Sequence, residues 1–321
     1  MKHVRLLPNV KVVCGVMQGA YPGTPQYQTI EQTHSRYKSL LSQLNKAGFS
    51  VTVATHNPKL MDYAKENFKQ ETIAFAMLHP TAFYLHRKKC FPASAYIVSG
   101  KADHYIDRRI EEVSNEGNIS ELQQRLKESN NALHMLVGYL GEFFVLLKNY
   151  SPKMAEHLMS SAIQLKLLHF IFKSTFTVSI KNIEQLMAQY QKDNITPWLS
   201  LTTLEESQPK TLKELKDALH QEFNEYKVVS QSTKRPFIIG LRTWTIENEN
   251  VHEAFYDHVQ LLMKLPNVDK IIADWEGPEN QQLVVSIYKK LSDQFKPRFG
   301  ITLRALDATD RYLNQTLELA H

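Results

Sequence analysis

Residues 236–274 read PFIIGLRTWTIENENVHEAFYDHVQLLMKLPNVDKIIAD. Two short apolar runs, PFIIGLR (Pro236–Arg242) and VDKIIAD (Val268–Asp274), flank a stretch from His252 to Lys264 whose apolar residues recur at helical spacing. Strand, helix and strand in that order imply parallel neighbours, because only a crossover connection brings the chain back to pair in the same direction. Neither run alternates strictly between apolar and polar, which suits strands covered on both faces.

Working outward, the same unit recurs. Toward the C-terminus come a helix over Asn280–Phe295, a strand over Gly300–Arg304 and a last helix from Ala308 to Leu319. Toward the N-terminus come a charged helix from Thr211 to Tyr226, the strand ITPWLSL (Ile195–Leu201) and a helix over Ile180–Lys192. The first third repeats the alternation, with strands expected at Val10–Met17 (VKVVCGVM), Phe49–Thr55, Thr72–Leu78 and Ala93–Val98. Helices are expected at Ile30–Ala47 and Leu60–Lys69, with a short one after the third strand and another over Ala102–Glu112. Between the two series, Ile119–Phe172 is nearly all helical pattern, broken at Ser151-Pro152. Eight strand–helix units predict an α/β fold, a (β/α)8 TIM-like barrel, with a helical insert. A doubly wound sheet is the competitor, but no G-x-G-x-x-G or P-loop follows any strand.

The 321 residues suffice for one large barrel domain; 43% are apolar and 22% charged, as in ordinary globular proteins. The formal charge of +5 is mild, and the Arg87–Lys89 run reads as solvated surface rather than a nucleic-acid site. No run reaches the roughly 18 apolar residues of a membrane span. Pro8 and Lys11 argue against a secretory signal, and Cys14 and Cys90 are too few for a disulfide framework. A cytoplasmic protein, at most peripheral at a membrane, is the expectation.

A barrel of this class works at the carboxyl ends of its strands. Those positions carry Tyr21, His56 with Asn57, His79, Arg242 with Trp244, Asp274 with Glu276, and Arg304 with Asp307. Each has a structural explanation as well: His56-Asn57-Pro58 reads as a helix start, His79-Pro80 as a turn, and Asp274-Trp275-Glu276 as a cap. Beyond the fourth strand, ADHYIDRRIEE (Ala102–Glu112) puts Tyr105, Arg108, Arg109 and Glu112 on one helical stripe and Ile106, Ile110 and Val113 on another. Two guanidinium groups beside a phenol suit the grip of a small carboxylate. Metal spacing and a hydrolase elbow are absent from the sequence.

VATHN (Val53–Asn57), GAY (Gly19–Tyr21), YIDRRIEE (Tyr105–Glu112) and IIADWEG (Ile271–Gly277) followed by GITLRA resemble motifs of the flavin-dependent proline dehydrogenases. SIKNIEQLMAQYQKDNITPWLSL resembles that family's first strand and the helix before it. The resemblance covers residues 10–112 and 176–321, in a rearranged order. Residues 1–115 resemble barrel strands five to eight, 116–175 form a helical connector, and 176–321 resemble strands one to four. It therefore implies a circularly permuted barrel, a cut that a closed ring of strands tolerates.

The resemblance implies oxidation of L-proline to Δ1-pyrroline-5-carboxylate, with hydride passing to FAD and then to a quinone. By position, Arg108 and Arg109 would bind the substrate carboxylate, Tyr105 would pack on its ring, and Glu112 would orient the arginines. Asp274, Arg242 and Tyr21 would form the catalytic set, and Leu78 would line the pocket. Thr55, His56, Asn57, Arg304 and Gln18 would hold the flavin. Departures fall on the flavin side: Gly15 and Gln18 stand where the family has arginine and lysine, and Arg304 and Ala76 where it has glutamines. Two alternatives are a relative without flavin that acts as a binding or regulatory barrel, and a flavoenzyme for another cyclic secondary amine such as hydroxyproline.

Overall fold

The computed structural model describes residues 7–14, 27, 29–100, 102–113, 119–155, 157–158, 166–247, 249–274, 278–305 and 310–320; the side chains of 104, 108, 111–113, 119, 120, 278 and 279 also lie outside the description. Eight parallel strands close into a barrel: β1 (Asn9–Val13), β2 (Ser50–Ala54), β3 (Ile73–Leu78), β4 (Ala93–Ser99), β5 (Ile195–Leu201), β6 (Phe237–Arg242), β7 (Val268–Asp274) and β8 (Phe299–Arg304). Each pairs with the next in chain order, and β8 returns to β1 with Val13 opposite Arg304. A two-residue strand, Thr177–Val178, adds to the end of β4.

Helices wrap the ring where the amphipathic patterns fall. They include α1 (Ile30–Lys46), α2 (Pro58–Asn67), α3 (Phe83–Arg87) and α4 (Asp103–Val113). The insert contributes α5 (Ile119–Lys127), α6 (Ala132–Tyr150) and α7 (Leu167–Phe176). After it come α8 (Ile180–Lys192), α9 (Thr203–Ser207), α10 (Leu212–Ser232), α11 (His252–Met263), α12 (Pro278–Lys290) and α13 (Arg311–Leu317). Their starts obey local capping chemistry. Thr29 opens α1 with a reciprocal capping box, and the Thr211 hydroxyl accepts from the Glu214 amide at the start of α10. α9, five residues long, has no counterpart among the sequence expectations; β1 spans Asn9–Val13, and residues 15–17 of the expected strand lie outside the described residues.

The strands are covered on both faces, yet the two faces differ in chemistry. Outward positions such as Val10, Val12, Val53, Ile239, Ile271 and Ile301 are buried under helices. The alternate positions carry Lys11, Thr52, Ser94, Tyr96, Thr302 and Asp274, which meet across the interior. Small residues make room there: a Cβ at Gly240 would lie 2.9 Å from Trp198 Nε1 and 3.3 Å from Tyr96 Cε2. The insert forms its own core, in which Ile106, Ile110, Leu126, Phe144 and Phe172 pack together, and Leu78, Val98 and Tyr96 join that core to the barrel. Among the described residues, no helix is long and apolar enough to cross a membrane.

Candidate functional site at the barrel mouth

Asp274, the last residue of β7, gathers side chains from three other strands. Its Oδ1 accepts from Lys11 Nζ at 2.6 Å and Thr302 Oγ1 at 3.1 Å, and its Oδ2 accepts from the Tyr96 hydroxyl at 2.8 Å. The Lys11 ammonium also lies 4.8 Å from the centre of the Tyr96 ring and 4.4 Å from that of Trp198. A buried ion pair recovers its desolvation cost only with good geometry and further hydrogen bonds, and this one has both, together with two aromatic faces. Burial, and then the Asp274 charge, hold the Tyr96 hydroxyl well above the ordinary phenol range, so it stays protonated and donates. Trp198 Nε1, fully enclosed, finds no hydrogen-bond acceptor among the described residues.

Arg242 closes β6 beside Asp274 and pairs with Glu205 Oε2 of α9 at 2.8 Å. Trp244, just past it, donates to the carbonyl of Pro209 and serves the loop. Arg304 is buried at the end of β8, on the same inward-facing alternation as Thr302. Tyr21, Gln18, Glu276 and Asp307 lie outside the described residues, as do the side chains of Arg108 and Glu112.

Of the four stripe residues of α4, the side chains of Tyr105 and Arg109 are among those described. Tyr105 is buried, and the Arg109 guanidinium stacks 5.0 Å from the centre of its ring. Arg109 lies near enough to His56, just past β2, for its charge to be the next cause, after burial, holding that imidazole down to about 3, with Arg125 of α5 third. Leu78, half-buried, packs against the cluster that contains Tyr105.

At the end of β2 the side chains are engaged within the protein. Asn57 Oδ1 caps α2, accepting from the amides of Lys59 at 2.8 Å and Leu60 at 3.3 Å, while its Nδ2 donates to Glu121 of the insert. Thr55 Oγ1 accepts from the Asn57 amide at 3.1 Å, and His56 Nε2 meets Thr81 Oγ1 at 3.2 Å. Burial raises Glu121 to about 7 against the pull of Arg125 and Asn57, and burial with the Glu121 charge pushes the Cys14 thiol up to about 12. Little at this end of the barrel suits the flavin that the resemblance implies: the Asn57 side chain already caps the α2 terminus, and positions 15 and 18, outside the described residues, are Gly and Gln in the sequence rather than cations.

The sequence reading passed over Lys11, Tyr96, Trp198, Thr302, Glu205 and Glu121. One signal was available for Lys11: a single lysine inside the apolar run NVKVV, at a position that a covered strand must bury. Among the described residues, no group of three or more His, Cys, Asp or Glu is placed to hold a metal ion. Neither the models of known families nor the curated proteins contain a match to this chain.

The buried histidines give the protein a pH signature. Burial holds His56 and His79 at about 3 and His134 at about 4, below the ordinary 6.5. Their neutral forms contribute stability above that ordinary value, and it is lost as pH falls toward the folded values. Glu121, raised to about 7, works in the opposite sense: its contribution is present below 4.5 and lost as pH rises through about 7. Melting temperature measured against pH is expected to fall steeply from about pH 6 to pH 4, where three histidines outweigh one carboxyl. Glu121→Gln is expected to steepen the decline between about pH 6.5 and 4.5, because the carboxyl whose contribution grows there as pH falls is gone.

Proposed function

We propose that the barrel mouth binds a small amino-acid zwitterion, with L-proline or another cyclic secondary amino acid as the ligand, in a relative of the proline dehydrogenases that does without flavin. The observation that carries this reading is a carboxylate anchored inside the barrel mouth, with a guanidinium stacked on Tyr105 near His56 at the end of β2. Asp274 has about four acceptor positions, of which Lys11, Thr302 and Tyr96 take three among the described residues, so a ligand amine would add to that set. Arg109, stacked on the Tyr105 ring, is a guanidinium of the kind that recognises a carboxylate.

A second reading keeps the oxidation of L-proline to Δ1-pyrroline-5-carboxylate, with FAD as hydride acceptor and a quinone beyond it. One observation favours it: Arg304 lies in register beside β1, a buried cation adjacent to the strand where the family carries its own. The purified protein separates the two. Under the first reading it is colourless and titration calorimetry records heat with L-proline or hydroxyproline. A visible flavin band bleached anaerobically by proline establishes the second reading instead. A colourless protein that binds neither amino acid overturns both.

A further inference from the structure

The insert leaves an apolar stripe uncovered. On α6, Leu136, Tyr139, Phe143, Leu146 and Tyr150 are between 45% and 88% exposed. Their spacing of three, four, three and four residues lays all five along one face, the pattern of a coiled-coil seam. The residues on the other side of the helix, Val137, Gly138, Gly141 and Phe144, are buried, and α6 packs there on α5 and α7. Gly138 marks the close approach, since a Cβ there would lie 2.8 Å from Lys127 Cγ of α5. On the neighbouring α7, Leu167 and Phe170 are 63% and 67% exposed.

At ~200 Å² for a large apolar side chain, the five α6 residues alone expose roughly 600 Å², and Leu167 and Phe170 of α7 a further ~260 Å². The α6 stripe by itself reaches the top of the roughly 300–600 Å² that an ordinary monomer exposes in its largest apolar patch. It would form the apolar centre of a standard interface, which takes about 800 Å² of polar and apolar surface from each partner. We infer that this face is an interface between two copies of this chain, with α6 lying antiparallel on α6 of its partner. The stripe is complementary to itself. Run in the opposite direction, its spacing sets Phe143 against Leu146 and Tyr139 against Tyr150, and a two-fold axis makes each contact twice. None of its five residues carries a charge; the nearest ions, Lys127 over the Tyr139 ring at 5.8 Å and its partner Glu142, form an ion pair at the edge of the stripe.

Sedimentation analysis from about 1 to 100 µM, the range in which interfaces of this size associate, is expected to show a dimer. Phe143→Glu and Leu146→Glu change exposed positions, so each variant keeps the far-ultraviolet spectrum of the parent and a cooperative melt, with a melting temperature that no longer rises with protein concentration. Each is expected to weaken dimerisation about a hundredfold or more, as loss of a central apolar contact does. Orientation is read by cysteine cross-linking, to which the buried Cys14 and Cys90 do not contribute. Under mild oxidation, an equimolar mixture of Phe143→Cys and Leu146→Cys is expected to give a covalent dimer, and either variant alone far less. A parent that stays monomeric across the range overturns the inference, as does a glutamate variant that dimerises normally or a cross-link between like positions only. Monomers that sediment with phosphatidylcholine–phosphatidylglycerol vesicles through the stripe overturn it in favour of a lipid surface.

Discussion

Asp274→Ala is expected to lower folding stability by about 3–5 kcal/mol, the cost of leaving one member of a buried ion pair without its partner. The Lys11 ammonium would remain inside the barrel with two aromatic faces and no carboxylate, its side chain only 11% exposed. At about 2 °C per kcal/mol for a chain of this size, the melting temperature should drop by roughly 6–10 °C. Lys11→Met alone is expected to cost a similar amount, because it strands Asp274 with neutral donors only. The double variant Lys11→Met/Asp274→Asn should recover most of the loss, since removing both charges together is often close to neutral. Thermal melts of the four proteins complete the cycle. Asp274→Ala melting within a degree of the parent would show that the ion pair does not close the barrel interior.

Arg109→Ala should cost most of the ligand affinity. Loss of a charged hydrogen bond is expected to raise the dissociation constant for L-proline tenfold or more, about 1.4 kcal/mol at the least. Arg109→Lys should recover only part of it, because an ammonium cannot reproduce the planar fork. A second readout does not depend on the ligand. Arg109 is the leading charge that depresses His56, so in Arg109→Ala the imidazole should titrate closer to its ordinary range by nuclear magnetic resonance. Unchanged affinity together with an unchanged His56 titration would mean that Arg109 faces solvent and that the mouth lacks its carboxylate grip.

The local signals were the reliable ones. Ile195–Leu201 and Val268–Asp274 form strands over the same residues that their composition marks, and Ile180–Lys192 does so as a helix. Asn57-Pro58 starts α2 as its capping chemistry requires, and the structure shows that role directly. The α10 helix runs on to Ser232, past the expected Tyr226, because Tyr226 and Val229 remain buried against the barrel. Glu205 escaped notice because its helix has five residues, too few for a periodic pattern.

The repeat of strand and helix, the face of α4 that carries Tyr105 and Arg109, and the helical character of the insert were determined by the chain alone, because hydrophobic period and capping act over a few residues. Which charges meet was decided only by closure of the barrel. Lys11 and Asp274 stand 263 residues apart, and no local pattern connects them until β8 pairs with β1 and the interior becomes one space. The insert folding onto the end of β2 is of the same kind. Glu121 reaches Asn57 because α5 packs beside the turn after β3, a consequence of long-range burial that short-range propensity does not encode.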